Sequence, residues 1–198
     1  MKEMRVKLTF TEDVLGTANA NPNIHEEFIA SNAPDAPSRK EEIEAIGVEK
    51  EVEKSMTVFP KDENGNPFLW DYQIRGFFKS AAQAGSYMGG DKKLAAYKKK
   101  IDLLVFVAER KIPFVLPEGK EMGNCQRPLR AQTMQGERVA LANSETVPAG
   151  STVEFTIQIL EDKLASYVED WLDFGKFNGI GQWRNSGCGR FTWERVRH

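Results

Sequence analysis

No stretch of this chain approaches the roughly 18 consecutive apolar residues that a membrane-spanning helix requires. The opening Met1-Lys2-Glu3-Met4 also lacks the apolar run of a secretory signal. The expectation is a cytoplasmic protein with no membrane partner. Cysteine and histidine are scarce: Cys125 and Cys188 make no Cys-x-x-Cys pair, and His25 and His198 stand at no ligand spacing. That argues against a zinc or other metal site and for two free thiols in a reducing compartment. Neither charge is in large excess, since 27 Lys and Arg against 29 Asp and Glu leave a net charge of −2. A uniformly basic nucleic-acid coat is thereby excluded, although a local basic groove is not. Ser-His-Asp, Walker-type and paired-metal patterns are missing too, so no cofactor and no catalytic residue is expected.

What is present is enough for one domain. The 198 residues are 40% hydrophobic and 28% charged, the balance of a globular chain with a substantial core and room for insertions. Charge is unevenly placed. Residues Glu41 to Glu53 are acidic, Lys92 to Lys100 basic, and the last fifteen residues hold four arginines.

Met4 to Phe10 alternates apolar and polar residues, which predicts a half-buried strand. Residues 16–70 read as an insertion with sparse apolar positions. Short helices are expected after Asn23 and Ser38, each followed three residues later by a glutamate. Asn64-Gly65 between Met56–Phe59 and Phe68–Trp70 predicts a hairpin. Asp71 then caps a helix with the stripe Ile74, Phe77, Phe78, Ala81 and Ala82. Arg75 and Lys79 lie four apart on another face, either a solvated surface or a basic face beside a bound strand. Residues 118–138, with Arg127, Arg130 and Arg138, read as a polar projecting loop or hairpin. Val153, Phe155, Ile157 and Ile159 alternate with polar residues in the clearest strand. A helix striped by Leu164, Val168, Trp171 and Leu172 follows, and Phe191 to Val196 closes the chain as a strand. Without insertions the order is strand, helix, strand, strand, helix, strand. The expected class is α+β, a ferredoxin-like (RRM-like) antiparallel sheet with two core helices.

The stretch around which this arrangement turns is Gly179 to Phe191. It holds Gly179, Gly181, Gly187 and Gly189, with Trp183, Arg184 and Arg190 between them. Glycines let a backbone take positive φ and approach a ligand closely. Bare amides beside guanidinium groups suit phosphates, and an indole suits a base. The competing readings are a turn with no ligand for the glycines and burial beneath the loop for Trp183.

Several of these pieces resemble one family, the RAMP proteins of CRISPR systems, and within it the Cas7-like backbone subunits. The loop from Gly179 to the closing Gly187-Cys188-Gly189-Arg190-Phe191 is similar to the family's glycine-rich loop. Ile74 to Lys79 is similar to its first core helix, although here Gly76 precedes Lys79 by three. Arg138 to Leu141 and Ser144 to Phe155 are similar to the segment feeding its third core strand. Together they cover about half the chain, which looks like a compact stand-alone relative of the kind found among phage and prophage proteins. The resemblance implies binding of single-stranded RNA or DNA, RNA first, along the glycine loop and first helix, with residues 118–138 as a thumb. It also implies possible self-association along a strand and Cas proteins as partners.

Three readings of function stay open. The first is a non-catalytic nucleic-acid-binding protein. The second is a phage protein that mimics a CRISPR subunit and acts by protein binding. The third is a metal-independent ribonuclease using His25, with Asp13 as a lone candidate acid after the first strand. The first is favoured, with Gly179, Gly181, Trp183, Arg184, Gly187, Gly189, Arg190, Arg75, Lys79, Arg127, Arg130 and Arg138 as binding residues.

Overall fold

The computed structural model describes residues 1–19, 56–133 and 136–196. The opening alternation forms β1 (Lys2–Phe10), followed by β2 (Val14–Leu15), β3 (Ala18–Asn19), β4 (Thr57–Val58) and β5 (Phe68–Trp70). Helices α1 (Asp71–Met88) and α2 (Tyr97–Leu104) come next, then β6 (Val105–Val107), β7 (Lys111–Pro113), β8 (Gly123–Thr133), β9 (Gly136–Val147) and β10 (Thr152–Ile159). Helix α3 (Ala165–Asp173) and β11 (Phe191–Arg195) complete the order. The result is a mixture of three helices and largely antiparallel sheets among the described residues. None of these helices is long and apolar enough to cross a membrane.

The main sheet has the strand order β11-β1-β10-β6, every pair antiparallel. Its register sets Met4 opposite Ile157, and Leu8 between Val153 and Trp193. Period-two alternation thus sends Met4, Val6, Leu8 and Phe10 of β1 to one face with Val153, Phe155, Ile157 and Ile159 of β10, all of them buried. The other face keeps Arg5 and Lys7 in ion pairs with Glu154 and Glu194 in solvent.

Helices α1 and α3 cover the apolar face. The α1 stripe of Ile74, Phe77, Phe78, Ala81 and Ala82 recurs every three to four residues, so it lies along one side of the helix. Phe78 meets Trp171 of α3 at 5.7 Å between ring centroids, and Phe77 meets Phe191 of β11 at 5.1 Å. Burying one such side chain contributes about 1.5–3 kcal/mol, and Phe78→Ala would cost about 3–5 kcal/mol because it leaves a cavity. Helix α3 also fastens β11 through Trp193 Nε1, which donates to Asp173 Oδ1 at 3.0 Å.

A second sheet runs β2-β9-β4-β3, with β8 paired to β9. Residues 118–138, expected as a projecting loop or hairpin, hold all of β8 and the first residues of β9, and β8 pairs antiparallel with β9 from Gly123↔Thr146 to Thr133↔Gly136. Their polarity is compatible with strands because a two-stranded arm has no face that must be apolar. The Asn64-Gly65 turn closes as expected, with Gly65 N donating to Asp62 O at 3.0 Å and φ at +81°. Its flanks nevertheless separate: β4 joins β3 and β9, while β5 joins β7. Pro60 and Pro67 supply no amide hydrogen, so the ladder at the turn stops at the single Lys61↔Pro67 bridge. The helices expected after Asn23 and Ser38 lie outside the described residues.

Candidate nucleic-acid interface

Between α3 and β11 the chain makes the Gly179–Phe191 loop, and the segment just after β1 holds it. Gly189 N donates to Asp13 O at 2.8 Å, Thr11 N to Arg190 O at 2.8 Å, and Ile180 N to Gly189 O at 3.0 Å. Helix α1 supports it from below through Phe77 against Phe191 and through Ser80 Oγ, which accepts from Asn178 Nδ2 at 3.2 Å.

Three of the four loop glycines are explained by this packing. A Cβ on Gly179 would lie 2.2 Å from Gly189 C, one on Gly181 2.7 Å from Leu15 O, and one on Gly189 1.9 Å from Ile180 O. Backbone meets backbone at each site, and no side chain fits. Gly187 differs, since at φ +89° its nearest neighbours are atoms of the Arg190 guanidinium, 3.2–3.4 Å from the Cβ position. The glycine pattern by itself is therefore a folding device that presents what lies between the glycines.

Gln182 to Ser186, with Gly181, line an open polar depression of about 430 Å³. Trp183 sits at its edge, half-buried, with φ +55°. A bulky residue in the left-handed region is uncommon and strained. A 3-10 turn over Arg184–Ser186 follows, closed by Ser186 N donating to Trp183 O at 2.9 Å. Arg127 reaches across from β8 and places Cζ 5.1 Å from the Trp183 ring centroid, a cation–π contact. Arg190 lies half-buried beneath Gly187, and its buried Nε has no hydrogen-bond partner among the described residues. Arg184 is exposed.

The arginines divide by place. Those elsewhere with described side chains are paired: Arg5 with Glu154, Arg75 and Arg110 with Asp71, and Arg195 with Glu169. Arg127, Arg184 and Arg190 make no ion pair among the described residues. Lys79 is neutralised by Asp102 at 2.6 Å. Arg75 and Lys79 thus hold helices α1 and α2 together with the start of α1, and no described contact brings them to the loop. Arg130 and Arg138 take backbone positions opposite Val139 and Ala131 in the β8–β9 arm.

Two carboxylates lie near the loop. Asp13 accepts from Ala149 N at 2.8 Å while its carbonyl holds Gly189, which gives it a structural task. Asp13 and Glu12 act on Cys188. Burial chiefly pushes that thiol up; the Arg127 guanidinium opposes this, and Cys125, Asp13 and Glu12 add to it. Both cysteines are free. No group of three or more His, Cys, Asp and Glu converges on a metal position among the described residues. His25 and His198 lie outside them.

The contact that links the two halves of the site, Arg127 on Trp183, joins residues 56 positions apart and has no signal in local spacing. No family model matches the sequence, and no curated protein sequence matches it. Its fold does have solved counterparts. A chain in a cryo-EM structure of type III-B Cmr-beta bound to cognate target RNA matches with a TM-score of 0.50 at 10% identity, over 99% of this chain and 60% of that one. A chain of a type IV-B CRISPR complex matches with a TM-score of 0.50 at 11% identity, over 98% of this chain and 90% of that one. The fold is one found in CRISPR complexes. At such identity the likeness is of fold alone, and this chain spans about three fifths of the first counterpart's length.

Proposed function

We propose that the protein binds single-stranded nucleic acid, RNA first, on the Gly179–Phe191 loop, as a non-catalytic RAMP-type protein resembling Cas7-like subunits. The observation that carries this reading is the division of the arginines. Among the described residues, Arg127 on Trp183, Arg184 at the polar depression and Arg190 beneath Gly187 make no ion pair, while the other arginines with described side chains are compensated. Unpaired guanidiniums suit phosphate oxygens, and the indole suits a base. Trp183 already carries one planar cation, and a base would share or replace it.

The core supports the family reading. Counted in chain order as β1, β6, β10 and β11, the main sheet has the order 4-1-3-2, with α1 and α3 on one face, as in a ferredoxin-like core. Likeness to a chain of a complex bound to target RNA favours RNA as the first ligand to try. The thumb role falls in this reading to the β8–β9 arm, which supplies Arg127. Fitting partners are the strand itself, further copies along it, and Cas proteins in a cytoplasmic setting.

The test is fluorescence anisotropy of a labelled single-stranded RNA and its DNA counterpart at two salt concentrations. Wild type binds, and its affinity falls with salt. Arg184→Ala/Arg190→Ala binds more weakly, and its salt slope on a log–log plot is smaller by about 1.4, or 0.7 for each lost phosphate contact. Absence of wild-type binding, or an unaltered double variant, overturns the proposal.

A further inference from the structure

A second aromatic and basic surface lies at the start of α1, where β5 and β7 pair. Phe68 and Trp70 meet edge to face with centroids 4.9 Å apart. Tyr72 lies nearly parallel to Trp70, 15° between planes and 6.3 Å between centroids, and is 52% exposed. Arg110 puts Cζ 5.3 Å from the Trp70 centroid, and Lys111 puts Nζ 5.4 Å from that of Phe68. Asp71 fixes Arg110 through Oδ1 at 2.5 Å and Arg75 through Oδ2 at 3.5 Å. Lys111 lies near Asp62, whose carboxyl is held low chiefly by the Asn66 amide. Three cations thus face two carboxylates. Core packing accounts for Phe68, which is buried, but not for the exposed Tyr72.

This surface is joined to the glycine loop. Trp70 N donates to Gln73 Oε1 at 2.8 Å, and Gln73 Nε2 donates to Thr17 Oγ1 at 2.9 Å. Two residues before Thr17, Leu15 O accepts from Gln182 N at 3.4 Å at the edge of the Trp183 depression.

We infer that Trp70 and Tyr72, with Arg110 and Lys111, form a second base-stacking platform that takes the single strand as it leaves the glycine loop. The inference rests on the nucleic-acid reading of that loop and assigns it a continuation. A base on the exposed ring of Tyr72 extends the stack that Trp70 begins, while Lys111 meets a flanking phosphate and Arg110, whose side chain is still 66% exposed beside Asp71, offers its remaining N–H groups to another. Stacking of this kind tolerates any base, because each has a π-face. A protein partner is the less favoured occupant: the exposed element is a flat ring in a tier of rings flanked by cations.

The experiment uses the full chain and labelled oligouridylate strands graded from about 4 to 16 nucleotides, the range of compact single-strand sites. Wild type, Tyr72→Leu, Tyr72→Trp and Arg184→Ala are compared by anisotropy, with thermal melts to verify folding. Tyr72→Leu keeps the apolar bulk but not the ring. It should bind the long strands about 5- to 150-fold more weakly and the shortest bound strand as wild type does. Tyr72→Trp should keep the wild-type length dependence, and Arg184→Ala should weaken every length. If Tyr72→Leu matches wild type at all lengths while Arg184→Ala weakens binding, the platform is refuted and the loop site stands. If wild type binds no strand, the loop site fails and the platform with it. If Tyr72→Leu instead removes only co-purification with a Cas protein, the surface is a protein interface and the inference is overturned.

Discussion

Alanine substitutions at glycine should divide sharply by what each Cβ meets. Gly76 is exposed on α1 with nothing within 4 Å. Gly76→Ala should therefore stabilise the fold by up to about 1 kcal/mol, the helix-interior difference between the two residues. Gly65 has φ +81° and open space around it. Left-handed backbone costs an alanine about 1–2 kcal/mol, partly offset by a gain of about 0.4–1 kcal/mol from restricting the unfolded chain. Gly65→Ala should thus cost about 1 kcal/mol. Gly187, at φ +89° against a flexible guanidinium, belongs near that value. Gly179 and Gly189 belong to another class, because a Cβ would sit 2.2 and 1.9 Å from backbone atoms that no rotamer can move. Either substitution must part the Ile180–Gly189 pairing, and the cost should exceed about 4 kcal/mol, a size reserved for such specific mechanisms. Urea unfolding with an unchanged m-value reads each difference directly. A Gly189→Ala protein within about 1 kcal/mol of Gly65→Ala would refute the account of the loop as closely clasped backbone.

Further expectations concern single groups. Trp183→Gly relieves the left-handed strain while removing the ring, so stability should change by no more than about 1 kcal/mol while single-strand affinity falls by about 1–3 kcal/mol; a large loss of stability with unchanged affinity would make Trp183 a packing residue. The Cys188 thiol is pushed up by burial, so the unfolded chain loses this proton first as pH rises past the ordinary thiol value of about 8.5. Its contribution is present below that value and lost above it. Between pH 7.5 and 9.5 the urea midpoint of wild type should therefore fall further than that of Cys188→Ala; equal falls would contradict the assignment. Asp71→Asn should cost about 1–3 kcal/mol because it weakens the anchor of two arginines. Glu154→Gln on the open sheet face should change urea stability by less than about 1 kcal/mol.

The core was legible in the sequence because period and burial agree. β1 and β10 alternate and are buried on one face; α1 and α3 carry their stripes at helical spacing. Pairing was less legible. Pro60 and Pro67 cut short a hairpin that Asn64-Gly65 begins, and β4 finds β9 through a parallel contact, Thr57 opposite Ser144, that no local pattern announces. The β8–β9 arm was legible only as a loop or hairpin, because its polar residues carry no strand period that fixes the pairing. At the site, Trp183, Arg184 and Arg190 share one short stretch, so spacing located them. Arg127 meets them only through the docking of that arm. The compensation of Arg75 was readable, since Asp71 lies four residues earlier on the same helix. That of Lys79 was not, because Asp102 belongs to α2.

Photo-crosslinking of a single-stranded RNA carrying a photoreactive base, followed by peptide mapping, locates the bound strand on the protein. Adducts should fall in the Gly179–Phe191 loop and on the β8 segment around Arg127, and should be lost in Arg184→Ala/Arg190→Ala. Adducts confined to the open face of the main sheet, around Arg5, Lys7 and Glu154, would contradict binding at the loop.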